Sequence, residues 1–424
     1  MDLQAVRGMH DLYGEVLHSW RAVEAVVHCL FADFGYEEIR TPALEKLEVF
    51  CQAVGSDTDI VQKQMYRFDS EGGESVVLRP EGTAGFIRAV VEHQLQRIPH
   101  KKKYYYYGPM FRHERPQKGR QRQFHQFGGE IINDPSPTAD CDLIAFLHRL
   151  YQKLGVTEYQ IEINSVGCRE CRPHYRIKLV EYLAKHRGAI CPTCQERFER
   201  APMRVLDCKN PTCQQIAQGA PLILDSICIA CKEHHQGLKA SLTQLKIPYV
   251  ENPRIVRGLD YYVRTAFEFT TQLLGAQNAL CGGGRYDGLS DRFGAEPFTA
   301  VGFALGMERL MLLLENTGKL PRDYPIPAAV FIALGNKAFE LMYPRAFELK
   351  VQGFWIEMDS DPNRSLKAQL KAADRFNSPL VVIMGEDELK AKKCLLKDMK
   401  KGTQVEVDWS HLTTAIKERM QLVS

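Results

Sequence analysis

The chain has 424 residues, enough for two or three domains with large cores. Hydrophobic residues make up 45% and charged residues 25%, as in ordinary globular proteins, and the net charge of +3 does not by itself argue for a nucleic-acid ligand. No apolar run reaches the roughly 20 residues that span a bilayer, and the first residues lack the basic-then-apolar pattern of a secretory signal. We therefore expect a cytoplasmic protein without membrane association.

The N-terminal part is predicted to hold a helix over residues 20–34, a short strand over 36–40, and a hairpin formed by 65–68 and 75–78. An amphipathic helix follows, for which Thr83 fits the role of N-cap. Glu81, just before that helix, either favours the helix dipole or holds a ligand at a strand end, and both interpretations stay open.

The most unusual segment is a predicted antiparallel hairpin over residues 104–132, with a turn at Pro116 and Gly119. Strand alternation predicts a polar set on one face of each strand: Met110, Arg112 and Glu114 on the first, and Gln126, Gly128 and Glu130 on the second. A cation, an amide and carboxylates together suit a zwitterion beside a phosphate. The adjacent glycines would let a ligand approach the backbone closely. A solvated edge hairpin is the alternative.

A cysteine-rich segment, about residues 166–245, is predicted to be an inserted subdomain. It contains three Cys-x-x-Cys pairs and one Cys-x4-Cys pair: Cys168, Cys171, Cys191, Cys194, Cys208, Cys213, Cys228 and Cys231. Eight thiols suffice for two tetrahedral zinc sites, whereas packed reduced thiols or a redox pair are the alternatives. The spacing does not reveal which pairs would share an ion. Apart from a helix over residues 238–245, the segment shows few long periodic runs.

Residues 255–269 read as a strand or strand pair that carries Arg257, Tyr261 and Tyr262 where a core strand would be aliphatic. The glycine-rich run at 281–288 lacks the third glycine of a dinucleotide fingerprint, and Gly318-Lys319 is not followed by the Ser or Thr of a phosphate loop. These patterns disfavour nucleotide binding of the Rossmann or P-loop type.

A strand that turns directly into a helix is predicted over residues 299–314, with Arg309 in the helix's first turn. A cation is unfavourable at that end of the helix dipole unless an anion binds there. We interpret Arg309 as a phosphate contact.

Residues 316–327 have the composition of a linker. Five strands and three helices are predicted beyond it, which indicates an α/β domain with a partly parallel sheet. One predicted helix carries a basic strip formed by Arg364, Lys367, Lys371 and Arg375. The strip either meets RNA phosphates or is simply solvated.

Five stretches together resemble the histidyl-tRNA synthetase family of class II aminoacyl-tRNA synthetases. FGYEEIRTPALE is similar to motif 1, associated with dimerisation, GPMFRHERPQKGRQRQFHQFGGE to motif 2, and AVGFALGMERL to motif 3. RGLDYYVRTAFE and GGGRYDGL resemble the two histidine-specific signatures. The resemblance implies an α+β fold: a class II catalytic domain over residues 1–325, whose six- to seven-stranded antiparallel sheet is flanked by helices and which contains the insertion, and a C-terminal α/β anticodon-binding domain over 326–424.

The implied activity is that of a histidine–tRNA ligase. L-histidine and ATP, the latter with Mg²⁺, would form histidyl-adenylate and pyrophosphate, and the histidyl group would then pass to the terminal adenosine of tRNA(His). The resemblance also implies a homodimer. Because the substrate carboxylate itself attacks phosphorus, no nucleophilic side chain is required.

The resemblance further assigns a role to each matching site residue. The α-ammonium of histidine would be held by Glu81, Thr83 and Gln126, with Gly82 in the same stretch. The imidazole would be read by Glu130 and Tyr262, with Tyr261 beside them. The phosphates would meet Arg112 (α-phosphate), Arg309 (γ-phosphate) and Arg257, which would bridge the α-phosphate and the histidine carboxylate. Glu114 would belong to the ATP site.

Two alternatives to a ligase share parts of this pattern. A regulatory subunit of ATP phosphoribosyltransferase would share the catalytic fold, but it is expected to lack the C-terminal domain and the RGLDYY stretch, both of which this chain has. A non-catalytic RNA-binding regulator would not need Gln126 and Glu130 beneath an arginine.

Overall fold

The computed structural model describes residues 3–55, 58–69, 72–208, 210–255, 261–275, 278–322 and 324–421. The chain separates into two compact units, Met1–Arg322 (unit 1) and Asp323–Ser424 (unit 2). In the described residues, no helix combines the length and the apolar character needed to cross a membrane.

Unit 1 contains two sheets in its described part. Their strands are β1 (Glu37–Glu38), β2 (Leu44–Lys46), β3 (Arg67–Asp69), β4 (Ser75–Leu78), β5 (Lys102–Phe111), β6 (Gln123–Ile132), β7 (Gln160–Ser165), β8 (Val250–Glu251), β9 (Val263–Thr270), β10 (Ala279–Arg285) and β11 (Ala300–Gly306). The large sheet has the order β1-β5-β6-β11-β10-β9-β7-β8, and the small one the order β2-β4-β3.

The large sheet is antiparallel through its centre, which confirms the expected architecture. It has eight strands rather than six or seven, because β1 and β8 add short parallel pairs at the two edges. β1 lies within the short strand predicted over residues 36–40, which is confirmed. β8 was not predicted, because a strand of two residues carries no alternating pattern.

Helices cover the sheet and build the insertion: α1 (Gly14–Asp33), α2 (Leu47–Val54), α3 (Thr83–Glu92), α4 (Pro137–Lys153), α5 (Cys171–Lys185), α6 (Pro192–Arg197), α7 (Met203–Leu206), α8 (Pro211–Gln218), α9 (Ile229–Gln244) and α10 (Met307–Asn316). Apolar residues three or four apart on α1 and α4 face the sheet, as an amphipathic helix requires. At the centre of this core, Phe31 stacks on Tyr105 and Phe146, with ring centroids 4.2 and 4.4 Å away.

The hairpin β5–β6 has the predicted second strand, but its first strand ends earlier than expected. Phe111 pairs with Gln123, so Arg112 and Glu114 lie beyond the strand rather than on its face. The chain leaves the ladder gradually: Arg112 N donates to Arg122 O, and Glu114 N then donates back to Arg112 O in a turn (both 2.8 Å). The charged loop therefore begins at Arg112.

The two glycines of β6 receive the protein's own aromatic rings. A Cβ on Gly128 would lie 2.1 Å from the Tyr106 ring, and one on Gly129 would lie 2.6 Å from Phe303. The prediction that this pair leaves room for a ligand is wrong, because a ring already occupies each space.

The insertion is more helical than predicted. The helix α5 buries a single row at four-residue spacing, Cys171, Tyr175, Leu179 and Leu183, among many charged residues, and α9 begins directly after Cys228. One narrow apolar row among lysines and arginines gives little amphipathic contrast. This explains why the sequence pattern missed α5 and predicted only the second half of α9, as the helix over residues 238–245.

Unit 2 is an α/β domain with the predicted partly parallel sheet. Its strands are β12 (Ala329–Ala333), β13 (Ile356–Met358), β14 (Leu380–Met384), β15 (Lys393–Asp398) and β16 (Gln404–Asp408), and its helices are α11 (Asn336–Val351), α12 (Leu366–Arg375), α13 (Glu386–Ala391) and α14 (Leu412–Gln421). The order is β13-β12-β14-β15-β16, with β12 parallel to both neighbours and the last two pairs antiparallel.

Candidate active site

A cleft in unit 1 brings together most of the predicted site residues. It lies over the central strands β6, β9, β10 and β11, beside the start of α3 and α10 and the β5–β6 loop. Eight predicted residues line it: Glu81, Thr83, Arg112, Glu114, Gln126, Tyr261, Tyr262 and Arg309. Residues more than two hundred positions apart thus share one surface because the antiparallel strand order places their elements side by side.

The acidic residue at one end of the cleft caps the helix beside it. The Glu81 carboxylate accepts hydrogen bonds from Thr83 N and Ala84 N, each at 2.8 Å, and the N-cap position belongs to Gly82. Thr83 as N-cap is therefore wrong, since Glu81 provides the capping oxygens. Burial raises the pKa of Glu81, while those two backbone donors oppose the shift. A bound ammonium group would stabilise the charged form of this carboxylate further, in the same direction as the nearby Arg112 guanidinium.

Two other residues near Glu81 complete this end of the cleft. Gln126 is buried, and its Oε1 atom accepts no hydrogen bond from the residues that the structure describes. An unsatisfied buried amide oxygen facing a cleft is a candidate ligand contact. Gly82 packs against the Tyr106 ring, where a Cβ would approach to 2.2 Å, so this glycine is needed to let the ring in.

Glu130 lies one layer below the side chains that line the cleft. It is 1% exposed, and its two oxygens accept hydrogen bonds from Thr83 Oγ1 (2.9 Å) and Tyr286 Oη (2.5 Å). Burial raises the pKa of Glu130 to about 8, against the effect of those hydroxyls. Gly302 makes room for the carboxylate, because a Cβ there would lie 1.5 Å from Glu130 Oε2.

The other end of the cleft is crowded with guanidinium groups. Arg112 Nε donates to Pro80 O at 2.8 Å, and Arg309 Nη1 donates to Ala279 O at 2.5 Å. Arg120, from the β5–β6 loop, lines the same surface. Burial, and then the charge of Arg120, lower the pKa of Arg309, and burial also lowers the pKa of Arg112. Guanidinium groups that are close together and partly desolvated favour an anion between them.

Arg257, the predicted bridging cation, lies outside the described residues. Tyr261 and Tyr262, which follow it in the same signature, are described and buried, with ring centroids 4.6 Å apart. Tyr261 also meets Tyr286 edge-on at 5.6 Å.

The sequence patterns missed Glu268, Glu308 and Tyr286 in the cleft and its surroundings. Arg120 stands out in the sequence only as one of several positive charges in the loop of the predicted hairpin, without an assigned place in the cleft. Glu308 accepts from His125 N at 2.9 Å and so ties α10 to β6. Tyr286 could have been suspected because it lies within the GGGRYDGL stretch. For Glu268 nothing in the local pattern distinguishes a cleft residue from a solvated one.

A second buried polar cluster supports the cleft from α4. Asp140 and Arg285 are both fully buried, with Arg285 Nη2 2.7 Å from Asp140 Oδ1. Asp140 Oδ2 lies 2.5 Å from His234 Nε2 and accepts from Thr265 Oγ1 at 2.6 Å. Burial raises the pKa of Asp140, but the bond with His234 and the charge of Arg285 outweigh it and leave the pKa below its usual range.

The eight insertion thiols form two groups of four. The base cluster is Cys168, Cys171, Cys228 and Cys231, and the inner cluster is Cys191, Cys194, Cys208 and Cys213. Within each cluster all sulfur atoms lie within 4.8 Å of one another, and all eight cysteines are free. The structure thus groups the pairs that the spacing had left ungrouped.

Comparison with known proteins agrees with this geometry. A family model described as histidyl-tRNA synthetase matches residues 8–170 and 221–310, and one described as an anticodon binding domain matches residues 328–419. An antiparallel sheet with a charged cleft and a C-terminal unit of this type define an aminoacyl-tRNA synthetase.

Similarity to individual proteins identifies the family within this class. The histidine–tRNA ligase of Desulfitobacterium hafniense is 45% identical over 96% of each chain, and that of Trichlorobacter lovleyi is 43% identical over 98% of each. The crystal structure of apo Staphylococcus aureus histidyl-tRNA synthetase superimposes with a TM-score of 0.82 at 33% identity, over 98% of this chain and all of that one. The chain belongs to the histidyl-tRNA synthetase family.

Proposed function

We propose that this ligase activates L-histidine with ATP in the cleft and then transfers it to tRNA(His). The supporting observation is that one cleft has an acidic and amide end, around Glu81 and Gln126, and a guanidinium end, around Arg112 and Arg309. An amino acid carries both an ammonium and a carboxylate, and its activation by ATP gathers phosphate charge beside that carboxylate. The two ends of the cleft match the two kinds of charge.

The histidine end takes the roles that the family resemblance assigns. Glu81, Thr83 and Gln126 hold the α-ammonium, which would satisfy the free Gln126 Oε1 and compensate the buried Glu81 carboxylate. Glu130 and Tyr262 define the imidazole end, with Tyr261 beside them. Because Glu130 lies beneath the lining, we expect it to act together with the hydroxyls of Thr83 and Tyr286.

The ATP end stabilises the charge that moves during activation. An oxygen of the histidine carboxylate attacks the α-phosphorus, and the bond to pyrophosphate breaks. Arg112 contacts the α-phosphate, Arg309 the γ-phosphate, and Arg257 bridges the carboxylate and the α-phosphate. Prepositioned cations of this kind lower the barrier without reorganising during the reaction.

Magnesium would accompany the ATP phosphates. The carboxylates Glu114 and Glu268 line the same cleft, and hard oxygen donors of this type suit Mg²⁺, which keeps several of its waters. The donor set therefore fits, and these two residues would hold the ion. Bound there, it would neutralise phosphate charge.

The remaining assignments rest on the family resemblance. Residues 1–325 would be the catalytic domain and 326–424 the anticodon-binding domain, whose exposed basic strip on α12 offers Arg364, Lys367, Lys371 and Arg375 to RNA phosphates. We expect a cytoplasmic homodimer, with motif 1 at its interface, and structural Zn²⁺ in the insertion. Light scattering of the purified protein tests the dimer.

Histidine-dependent exchange of pyrophosphate into ATP tests the activation step. We expect exchange with histidine alone among the amino acids. Arg257→Ala should abolish it, because the bridging cation acts in the transition state, and Glu130→Gln should weaken it. Well-folded wild-type protein without exchange would contradict the proposal and favour a regulatory role.

A further inference from the structure

The two thiol clusters are nested along the chain. The base cluster joins the first and last cysteine pairs of the insertion, and the inner cluster joins the two pairs between them. The base cluster thus closes the whole insertion, whereas the inner cluster closes a smaller loop within it. A cross-link across a longer loop restrains more of the unfolded chain.

The sulfur geometry fits one tetrahedral ion per cluster. In the base cluster, Cys168 Sγ lies 3.5 Å from Cys171 Sγ and 3.9 Å from Cys228 Sγ. In the inner cluster, Cys191 Sγ lies 3.8 Å from Cys208 Sγ. Four sulfurs about 2.3 Å from one zinc ion stand roughly 3.8 Å apart.

Backbone donors support the same interpretation. Cys228 N donates to Cys171 Sγ at 3.0 Å, and Cys191 N donates to Cys213 Sγ at 3.1 Å, so both clusters contain a sulfur that accepts a backbone hydrogen bond. Hydrogen bonds to metal-bound ligands orient them and stabilise their charge. The same arrangement in two separate clusters is difficult to explain by the packing of reduced thiols.

The base cluster is also tied to the histidine end of the cleft through the start of β9. Cys168 follows β7 by three residues. In that short connection Val166 N donates to Arg264 O (2.7 Å), and Arg264 N donates to Gly167 O (2.9 Å). Arg264 comes two residues after Tyr262, so the base cluster restrains the backbone that carries the tyrosine pair.

A second tie runs through Arg169, which lies between two of the base cysteines. Its guanidinium donates to Asp291 Oδ2 (2.8 Å) and to Gly288 O (2.7 Å), in the segment directly after Tyr286. Tyr286 in turn donates to Glu130. The guanidinium therefore links the base cluster to the segment that carries a hydroxyl partner of Glu130.

A third tie runs through α9, which begins at the base cysteines and carries His234. His234 meets Asp140, and Asp140 pairs with Arg285, the residue before Tyr286. The inner cluster, by contrast, is held by residues of the insertion itself: Arg197 donates to Cys194 Sγ and to Arg204 O.

We propose that the insertion binds two zinc ions, one in each cluster, and that the ion of the base cluster positions the histidine end of the active site. The base cysteines are positioning residues, since they hold the segments around Tyr262 and Tyr286 rather than touch substrate. The positioning role rests on the function proposed above, whereas the two-ion assignment does not.

Metal analysis of the full chain, purified without added zinc, tests the two sites directly. We expect two equivalents of zinc in the wild type and one in either Cys228→Ser or Cys208→Ser, which remove a half-buried thiol from the base and the inner cluster respectively. Less than one equivalent of zinc, or iron in its place, would overturn the assignment.

Exchange kinetics of the same two variants test the positioning role. Cys228→Ser should raise the KM for histidine roughly tenfold, because small displacements of binding groups are costly, and should leave the KM for ATP within about twofold. Cys208→Ser should leave both constants within about twofold of the wild type. An equal effect of the two variants, or no effect of Cys228→Ser, would overturn the positioning role.

Arg169→Ala provides a test that keeps every thiol and does not depend on whether the cysteine variants fold. Arg169 is 61% exposed, so its loss should leave the fold and two equivalents of zinc intact while the KM for histidine rises. Arg176→Ala, which removes an insertion arginine that contacts Glu199, is the matched control. It should change neither the KM for histidine nor the KM for ATP. An unchanged KM for histidine in Arg169→Ala contradicts the positioning role.

A wild type without pyrophosphate exchange would instead refute the proposed function. The metal content would still decide whether the insertion binds two ions.

Discussion

Two carboxylates of unit 1, Glu130 on β6 and Asp140 on α4, are equally buried but have different partners. Glu130 is 1% exposed and meets two hydroxyls, whereas Asp140 is 0% exposed and meets a guanidinium and an imidazole. The pKa of Glu130 is raised to about 8, and that of Asp140 is lowered. Burial raises the pKa of both, so the partners decide the sign: for Asp140 the hydrogen bond with His234 and the charge of Arg285 outweigh burial, whereas for Glu130 two hydroxyls do not.

The difference separates a charge that is compensated within the fold from one that the proposed function would use. The charge of Asp140 is compensated within the protein, and it joins α4, α9 and β10. Glu130 has no cationic partner within the protein in the described contacts, so its negative charge is unfavourable until a ligand donor or cation arrives. A carboxylate in this condition is suited to binding, and three changes test the contrast.

The largest effect is expected from Asp140→Asn. It removes the nearer of the two counter-charges of the fully buried Arg285 guanidinium and leaves only Asp287 Oδ1, 3.2 Å from Arg285 Nη1. Breaking this buried pair should cost about 3 kcal/mol of unfolding free energy, the low end for such pairs. Urea denaturation measures the loss. Asp142→Asn is the matched control, because its partner Lys103 is near the surface and Asp142 is 39% exposed, so that pair should contribute under about 1 kcal/mol. Equal costs for the two variants would contradict the comparison.

Glu130→Gln should change how stability depends on pH. The unfolded chain keeps Glu130 at its ordinary pKa of 4.5, so between pH 4.5 and about 8 folding requires the carboxyl to bind a proton. Its contribution is complete below pH 4.5 and is lost as pH rises through 8, roughly 3 kcal/mol between pH 5 and 8. Melting curves of the wild type should fall relative to Glu130→Gln across that window.

The opposite sign is expected for Asp140, whose lowered pKa gives stability above pH 3.8 that is lost in acid. If the melting temperature of the wild type equalled that of Glu130→Gln at every pH, the pKa of Glu130 would not be raised in the folded protein.

The smallest of the three effects is expected from Tyr286→Phe. It removes one donor to the Glu130 carboxylate, so the pKa of Glu130 should rise further, at a cost of about 1 kcal/mol in the ionised state. The upward shift of the pH midpoint in the melting curves measures it. Tyr151→Phe removes an equally buried hydroxyl that contacts Cys281 instead, and it should leave the midpoint unchanged.

Much of the central architecture could be predicted because it depends on local patterns. The strands Gln123–Ile132 and Ser75–Leu78 have the predicted bounds, and the helix after Gly306 begins where a strand was expected to turn. Alternation and turn residues decide these elements within a few residues of sequence. The resemblance to the family motifs predicted eight residues that line one cleft in the structure. Local sequence patterns alone could not have predicted that these residues lie together.

Most of the errors have a different cause, namely contacts between distant segments, and one comes from a local helix cap. The sequence around Gly128 and Gly129 suggests free space beside them, because the rings that fill that space, Tyr106 and Phe303, belong to other strands. Thr83 has the residue type preferred at an N-cap, but the carboxylate of Glu81, two residues earlier, accepts the hydrogen bonds of the first backbone N–H groups instead. The depth of Glu130 below the cleft depends on Tyr286 in another strand segment, which no spacing rule connects to it.

The strand order also determines how long the edge of β6 stays unpaired during translation. β6 is an edge strand until β11 pairs with it from Ala300 onward, and the whole insertion is made in between. At about 5–20 residues per second, that edge stays open for roughly 10–30 s on the ribosome. An unpaired strand edge invites association with other chains. While the hairpin is unpaired on the ribosome, this protein therefore depends most on helices that have already been synthesised, or on chaperones, to prevent association with other chains.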